Sequence, residues 1–185
     1  MNIAVFASGS GSNAQKIFDY FKNHPNVKVA LVVCNKPGAY VIERAKTSNI
    51  PVLLIDKNTF RDEQFLLPEL KKYQIEFIAL AGFLWLIPDF LIRAFPKKMV
   101  NIHPALLPKY GGKGMHGHFV HEAVFENKEK ESGITIHYVN EVYDSGEIIF
   151  QATCNVEGLN AEEIAAEVLK LEHANFPRVI EKLLV

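Results

Sequence analysis

The strongest constraint on this chain is the alternation of short apolar runs with amphipathic stretches through residues 1–100. Asn2 to Ala7 reads as a buried strand, Ala14 to Asn23 as a helix with Ile17, Tyr20 and Phe21 at core spacing, and Val27 to Val33 as a second strand. Tyr40 to Ser48 and Arg61 to Tyr73 carry helical periodicity. Pro51 to Ile55 and Ile75 to Ala81 carry strand character, and Pro88 to Phe95 leads as a short helix into the strand Met99 to His103. Pro68 either kinks its helix or marks the first turn, because an interior proline removes a hydrogen bond and crowds the preceding turn. Strands separated by helices pair in parallel, and a parallel sheet is covered on both faces. The pattern then changes. Phe119 to Asn127 is helical, and Gly133 to Asn140 and Glu147 to Asn155 alternate around a turn at Asp144-Ser145-Gly146, as a hairpin would. Asn160 and Glu163 make a capping box that opens a terminal helix running toward Lys182. The expected fold is α/β: a doubly wound, mostly parallel sheet with helices on both faces and a late antiparallel edge, in a single domain over residues 1–185.

Composition narrows the function. With 49% hydrophobic and 22% charged residues, neither disorder nor a fibre is expected. Twenty basic against 21 acidic side chains, with no run of lysine or arginine, offer no surface for a duplex. The expected partners are small molecules, with no nucleic acid. Cys34 and Cys154 lack C-x-x-C spacing and fit packing in a reducing compartment. Phe77 to Pro88, the longest uncharged apolar run, is too short for a bilayer, and no basic stretch precedes the N-terminal apolar run. A cytoplasmic protein away from membranes, monomer or homodimer, is expected.

Two stretches can carry chemistry. Ser8-Gly9-Ser10-Gly11-Ser12-Asn13 joins the first strand to the first helix, where backbone N–H groups and the helix dipole can hold a phosphate. It is no dinucleotide fingerprint, since the third glycine is missing and the second strand ends at Cys34-Asn35 without an acidic ribose partner. A phosphomonoester suits it better, with a merely tight βα turn as the alternative. In the second stretch, Met99 to Tyr110, period-two alternation puts Asn101 and His103 on one side and Ile102 on the other, and Pro104 ends the ladder. A capped strand end with satisfied polar groups is the competing reading. Farther on, Thr135 and His137 share a face and the following loop supplies Asp144. An Asp against His103 would favour imidazolium, raising its pKa by about one unit or more. Asn101 and a charged His103 would then form an electrophilic pair.

Other motifs compete. Ile78 to Pro88 is core, or its Gly82, Phe83 and Pro88 line a flat ring's pocket at the carboxyl edge of the sheet. Lys109 to Gly114 lacks the glycine spacing and the Ser or Thr of a P-loop, and reads as a mobile loop. His116, His118 and His121 beside Glu122 raise a zinc-dependent hydrolase as a rival of another class. No H-E-x-x-H helix accompanies them and Gly117 lies among them, so a solvated helix start is preferred and no metal is expected.

Read in order, Ser8 to Asn13, Leu80-Ala81-Gly82-Phe83, Asn101-Ile102-His103-Pro104-Ala105-Leu106-Leu107-Pro108-Lys109-Tyr110, Gly133-x-Thr135-x-His137-x-Val139, Asp144-x-Gly146 and Glu172-His173 resemble the folate-dependent formyltransferases, over nearly the whole chain. The glycine turn and the length resemble the branch whose acceptor is glycinamide ribonucleotide, in contrast to branches that formylate tRNA or release formate. The resemblance implies a transferase that moves a formyl group from 10-formyltetrahydrofolate, a co-substrate, to that ribonucleotide's amine in purine biosynthesis. It implies Asn101, His103 and Asp144 as catalytic residues, Gly11, Ser12 and Asn13 at the phosphate, and Glu172 at the glycinamide end. It implies Arg61, Leu84, Trp85, Leu86, Ile87, Asn101, Asn140, Glu141, Val142, Tyr143 and Asp144 around the folate, although Trp85 stands where the family pattern has a basic residue. Residues 1–100 would be the nucleotide- and phosphate-binding half, and 101–185 the catalytic, folate-completing half. The alternatives are a formyltetrahydrofolate hydrolase with the same trio, the zinc-dependent hydrolase, and a non-catalytic nucleotide-binding module.

Overall fold

The computed structural model describes residues 1–185. The alternation of the first hundred residues becomes five strands, β1 (Asn2–Ala7), β2 (Lys28–Cys34), β3 (Val52–Leu54), β4 (Ile75–Leu80) and β5 (Met99–His103). Between them lie α1 (Ser12–Phe21), α2 (Tyr40–Thr47), α3 (Lys57–Arg61), α4 (Glu63–Lys72) and α5 (Asp89–Ala94). The chain ends with α6 (His118–Glu126), β6 (Glu131–Tyr138), β7 (Ile148–Asn155) and α7 (Ala161–Leu184). The strands form one seven-stranded sheet in the order β3-β2-β1-β4-β5-β6-β7. The first five are parallel, and β6 and β7 pair antiparallel along one edge.

β1 shows why both faces need helices. Ile3, Val5 and Ala7 point into a cluster built with α1, α2, α6 and α7, while Ala4 and Phe6 point into another built with α3, α4 and α5. All five are 0% exposed, as expected of a parallel strand covered on both sides. The edge strand β7 instead alternates partly buried with exposed residues.

Arg61 to Tyr73, expected as one helix, is α4 from Glu63 to Lys72, and before it the structure adds the short helix α3, which ends on Arg61. Asp56 caps α3 in a capping box with Thr59, and Asp62 starts α4 by accepting from the Gln64 N–H. Asp side chains compete for backbone N–H groups in this way, so the chain restarts its helix one residue after ending it. Pro68 lies inside α4 with Leu66 and Leu70 buried on either side. The expected capping box at α7 is present, the Asn160 side chain accepting from the Glu163 N–H and the Glu163 carboxylate from the Asn160 N–H. The link between β6 and β7 folds back so tightly that a Cβ on Gly146 would overlap the Tyr138 carbonyl.

The sheet order reverses at β1. From there the chain winds out to β2 and β3 on one side, then crosses to β4 and β5 on the other. Such a switch leaves a crevice outside the carboxyl ends of the central strands. No helix is long and apolar enough to cross a membrane.

Candidate active site

A cavity of about 720 Å³ opens at that crevice, lined by the segments that follow β1, β4 and β5. A smaller one of about 60 Å³ adjoins it, and Phe83, Asn101, Tyr143 and Asp144 line both.

The β5–β6 pairing builds one end. It sets Asn101 opposite His137 and His103 opposite Thr135, so the four side chains share a face. The Asn101 Nδ2 lies 3.1 Å from His137 Nε2 and donates to Asp144 Oδ1 at 3.4 Å. His137 Nδ1 is 2.8 Å from the Tyr138 carbonyl, and its Nε2 also lies 3.6 Å from Asp144 Oδ1. Asp144, held at φ 52°, sits 3.5 Å from His103 Nδ1 and accepts from the Gly112 N–H at 3.0 Å. Burial pushes its carboxyl pKa up. The hydrogen bond with His137, the charge of His103 and the Gly112 N–H outweigh this and bring it below the ordinary value, so Asp144 is ionised. Thr135 is structural: it donates to the Ala105 carbonyl and accepts from the Leu107 N–H, securing the chain after β5.

His103 corrects the expectation of a raised imidazole pKa. The residue is 3% exposed, and burial lowers its pKa more than Asp144 and the Tyr110 carbonyl raise it. The free ring therefore tends to neutrality. Its Nε2–H donates to the Tyr110 carbonyl at 2.7 Å, which leaves Nδ1 facing Asp144. A proton on Nδ1 is favoured by that carboxylate, so the pair is set to share or pass one.

The glycine turn builds the other end. Gly11 precedes α1 with φ 73°, and a Cβ there would sit 2.6 Å from the Val41 side chain. No side chain caps the first turn of α1 and no acidic residue lies in it, so its N–H groups and dipole suit an anion. Asn13 donates to Glu172 Oε2 at 3.0 Å, while its Oδ1 is buried without a partner. Burial of Glu172 pushes its pKa up to about 7, against the opposing effect of Asn13. Lys36 lines this region as well.

The residues expected around a folate divide. Leu84 lines the larger cavity, and Trp85, Leu86, Ile87, Asn140 and Val142 the smaller. Trp85 packs 5.5 Å from Phe60 and 6.2 Å from Phe83, extending an aromatic wall. Arg61 and Glu141 are exposed and line neither cavity. Of the three histidines, His116 and His121 line the larger cavity, and His116 also packs edge-on against Phe119. His118 is exposed against Phe119, whereas His121 is buried. Burial, and in second place His103, push the His121 pKa down to about 4, and its Nδ1 has no partner. No group of three or more His, Cys, Asp or Glu residues is disposed to hold a metal.

Sequence reading gave no site role to His137 or the Tyr110 carbonyl, and weighed His121 only as a ligand of the rival zinc site. His137 was within reach, since pairing the Asn101–His103 face with the Thr135–His137 face brings it to Asn101. Nothing in the sequence marks a backbone carbonyl.

A family profile described as Formyl transferase matches residues 1–180. The chain is 40% identical to phosphoribosylglycinamide formyltransferase of Bacillus subtilis, over 98% of this chain and 93% of that one. It is 44% identical to the chloroplastic phosphoribosylglycinamide formyltransferase of Arabidopsis thaliana, over 96% of this chain and 63% of that one. It thus spans 63% and 60% of the length of the two plant relatives it matches. Among solved structures, phosphoribosylglycinamide formyltransferase from Bacillus halodurans superposes with a TM-score of 0.89 at 36% identity, covering 100% of this chain and 95% of that one. Glycinamide ribonucleotide transformylase 1 from Geobacillus kaustophilus gives 0.89 at 39%, covering 100% and 98%.

Proposed function

Because the chain belongs to the formyl transferase family, we propose that it transfers the formyl group of 10-formyltetrahydrofolate to the primary amine of glycinamide ribonucleotide, in purine biosynthesis. One observation carries this reading. An ionised carboxylate, an amide and an imidazole meet at one end of a cavity whose other end is an uncapped helix N-terminus on a glycine turn. That arrangement suits a phosphate-bearing amine held across from a reacting carbonyl.

The amine nitrogen attacks the formyl carbon, and the carbonyl electron pair moves onto oxygen. Asn101 stabilises this oxyanion. Its amide has two N–H groups, and the 3.4 Å bond to Asp144 is the weaker, so that is the one transferred to the oxyanion. His103 donates through Nδ1 when the proton favoured by Asp144 is there. Asp144 receives the proton lost by the amine through an ordered water and passes it to the folate nitrogen as the carbon–nitrogen bond to folate breaks. Formylated ribonucleotide and tetrahydrofolate result, with no covalent enzyme intermediate. Gly11, Ser12 and Asn13 hold the phosphate, Glu172 the glycinamide end, and the wall from Leu84 to Ile87 with Asn140, Val142 and Tyr143 the folate.

The test is to incubate the purified chain with 10-formyltetrahydrofolate, with and without glycinamide ribonucleotide, and to measure formylated ribonucleotide and free formate. Consumption of folate that depends on the amine and yields one formyl product per folate is expected. Formate release without the amine would replace this reading with the hydrolase.

A further inference from the structure

The segment Tyr110–Gly112 touches both members of the reactive pair. Its Tyr110 carbonyl accepts from His103 Nε2 at 2.7 Å, and its Gly112 N–H donates to Asp144 Oδ2 at 3.0 Å. It is wedged in place, since a Cβ on the intervening Gly111 would collide with the Leu107 side chain and lie 3.3 Å from Asp144 Cβ. Tyr110 itself has φ 55°. A bulky residue keeps that conformation only where its surroundings fix it.

The fixing comes from outside the cavity. The Tyr110 ring packs against the core, and its hydroxyl donates to Glu129 Oε1 at 2.8 Å. Lys109 Nζ donates to the same oxygen at 2.9 Å. Glu129 follows α6 and lines neither cavity. Resting on the function proposed above, we infer that Glu129 is a positioning residue for formyl transfer: it anchors the Tyr110 side chain and thereby aims the Tyr110 carbonyl at His103. The clamp is charge-assisted. The Lys109 and Tyr110 hydrogen bonds hold the Glu129 carboxyl below its ordinary pKa, and burial together with Glu129 pushes the Tyr110 hydroxyl up to about 12, so it remains a donor.

This separates a positioning role from a merely stabilising one. Tyr110→Phe removes one hydroxyl and keeps the ring. The Tyr110 carbonyl favours protonated His103, so loosening it moves the His103 titration to lower pH, while Asp144, His137 and His121, which also face the ring, are unchanged. The experiment is an NMR titration of His103 in the unliganded wild type, Tyr110→Phe, Glu129→Ala and Glu129→Gln, with kcat against pH for each. Tyr110→Phe and Glu129→Ala are expected to titrate at lower pH, with kcat down about tenfold or more and KM for both substrates nearly unchanged. Glu129→Gln, whose amide oxygen still accepts from Tyr110, should recover most of both. The titration needs no substrate, so it reads the positioning whether or not formyl transfer is the reaction. A lowered Tm in Tyr110→Phe and Glu129→Ala, with His103 and the kcat profile at their wild-type pH, would overturn the inference.

Discussion

The two ends of the cavity satisfy their polar groups in opposite ways. At the β5–β6 end the partners are internal: the Asn101 amide bonds His137 and Asp144, His103 bonds the Tyr110 carbonyl, and Asp144 takes the Gly112 N–H. At the glycine turn the first turn of α1 is uncapped, Asn13 Oδ1 is buried without a partner, and Glu172 has only Asn13 to offset its burial. Groups that bond one another hold their geometry before substrate arrives, which is the condition for electrostatic catalysis. Groups left open gain most when a ligand completes them. Chemistry and ribonucleotide affinity should therefore be separable by mutation.

The largest effects should come from the closed end. His103→Ala and Asp144→Asn are each expected to lower kcat by roughly a hundred- to a thousandfold with ribonucleotide KM little changed. Because the two act as a unit, steady-state kinetics should find the double mutant little worse than the poorer single. In Asp144→Asn, NMR should show the His103 pKa falling further, since burial already depresses it and Asp144 is the largest opposing influence.

At the open end, Gly11→Ala puts a Cβ 2.6 Å from the Val41 side chain at a φ of 73°. The turn must shift, and ribonucleotide KM should rise about tenfold, the equivalent of one good hydrogen bond, while folate KM stays near wild type. Equal changes in both constants would erase the distinction between the ends.

His121 sharpens the comparison through stability. Its folded pKa of about 4 lies below the unfolded value of about 6.5, so the unfolded chain binds the extra proton between these pH values. The stability associated with the neutral buried ring is present above pH ~6.5 and is lost as pH falls toward about 4, a change on the order of 3 kcal/mol at most. Denaturant melts across that window should slope downward with acid in wild type and flatten in His121→Leu. An unchanged slope would mean that His121 titrates normally. The smallest effect is expected from chelation: activity should survive it, because the proposed transfer draws its oxyanion stabilisation and proton transfer from an amide, an imidazole and a carboxylate. Loss on chelation with recovery on adding zinc would break the scheme at its closed end.

Much of the architecture was legible because it rests on periodicity. The parallel strands read as unbroken apolar runs, since both their faces are covered, and the antiparallel edge read as alternation. The short helix α3 went unread because its five residues are too few to show a helical period, and Asp62 ends it just before the expected helix begins as α4. In the site, Asn101 and His103 followed from strand alternation, but the charge state of His103 did not. That state depends on the balance of burial against one carboxylate, and burial is a property of the packed molecule. Arg61, placed at the folate by resemblance alone, is the exposed last residue of α3 and lines neither cavity, and strand or helix periodicity gives no information on that orientation.

Separability of the two ends is tested most directly by titrating glycinamide ribonucleotide calorimetrically into wild type and Asp144→Asn, with turnover measured on the same preparations. The predicted result is a ribonucleotide Kd in Asp144→Asn within about twofold of wild type, alongside the roughly hundredfold or greater loss of turnover. A Kd that weakens in step with turnover would contradict it, because the carboxylate would then be holding the ribonucleotide and not serving the transfer.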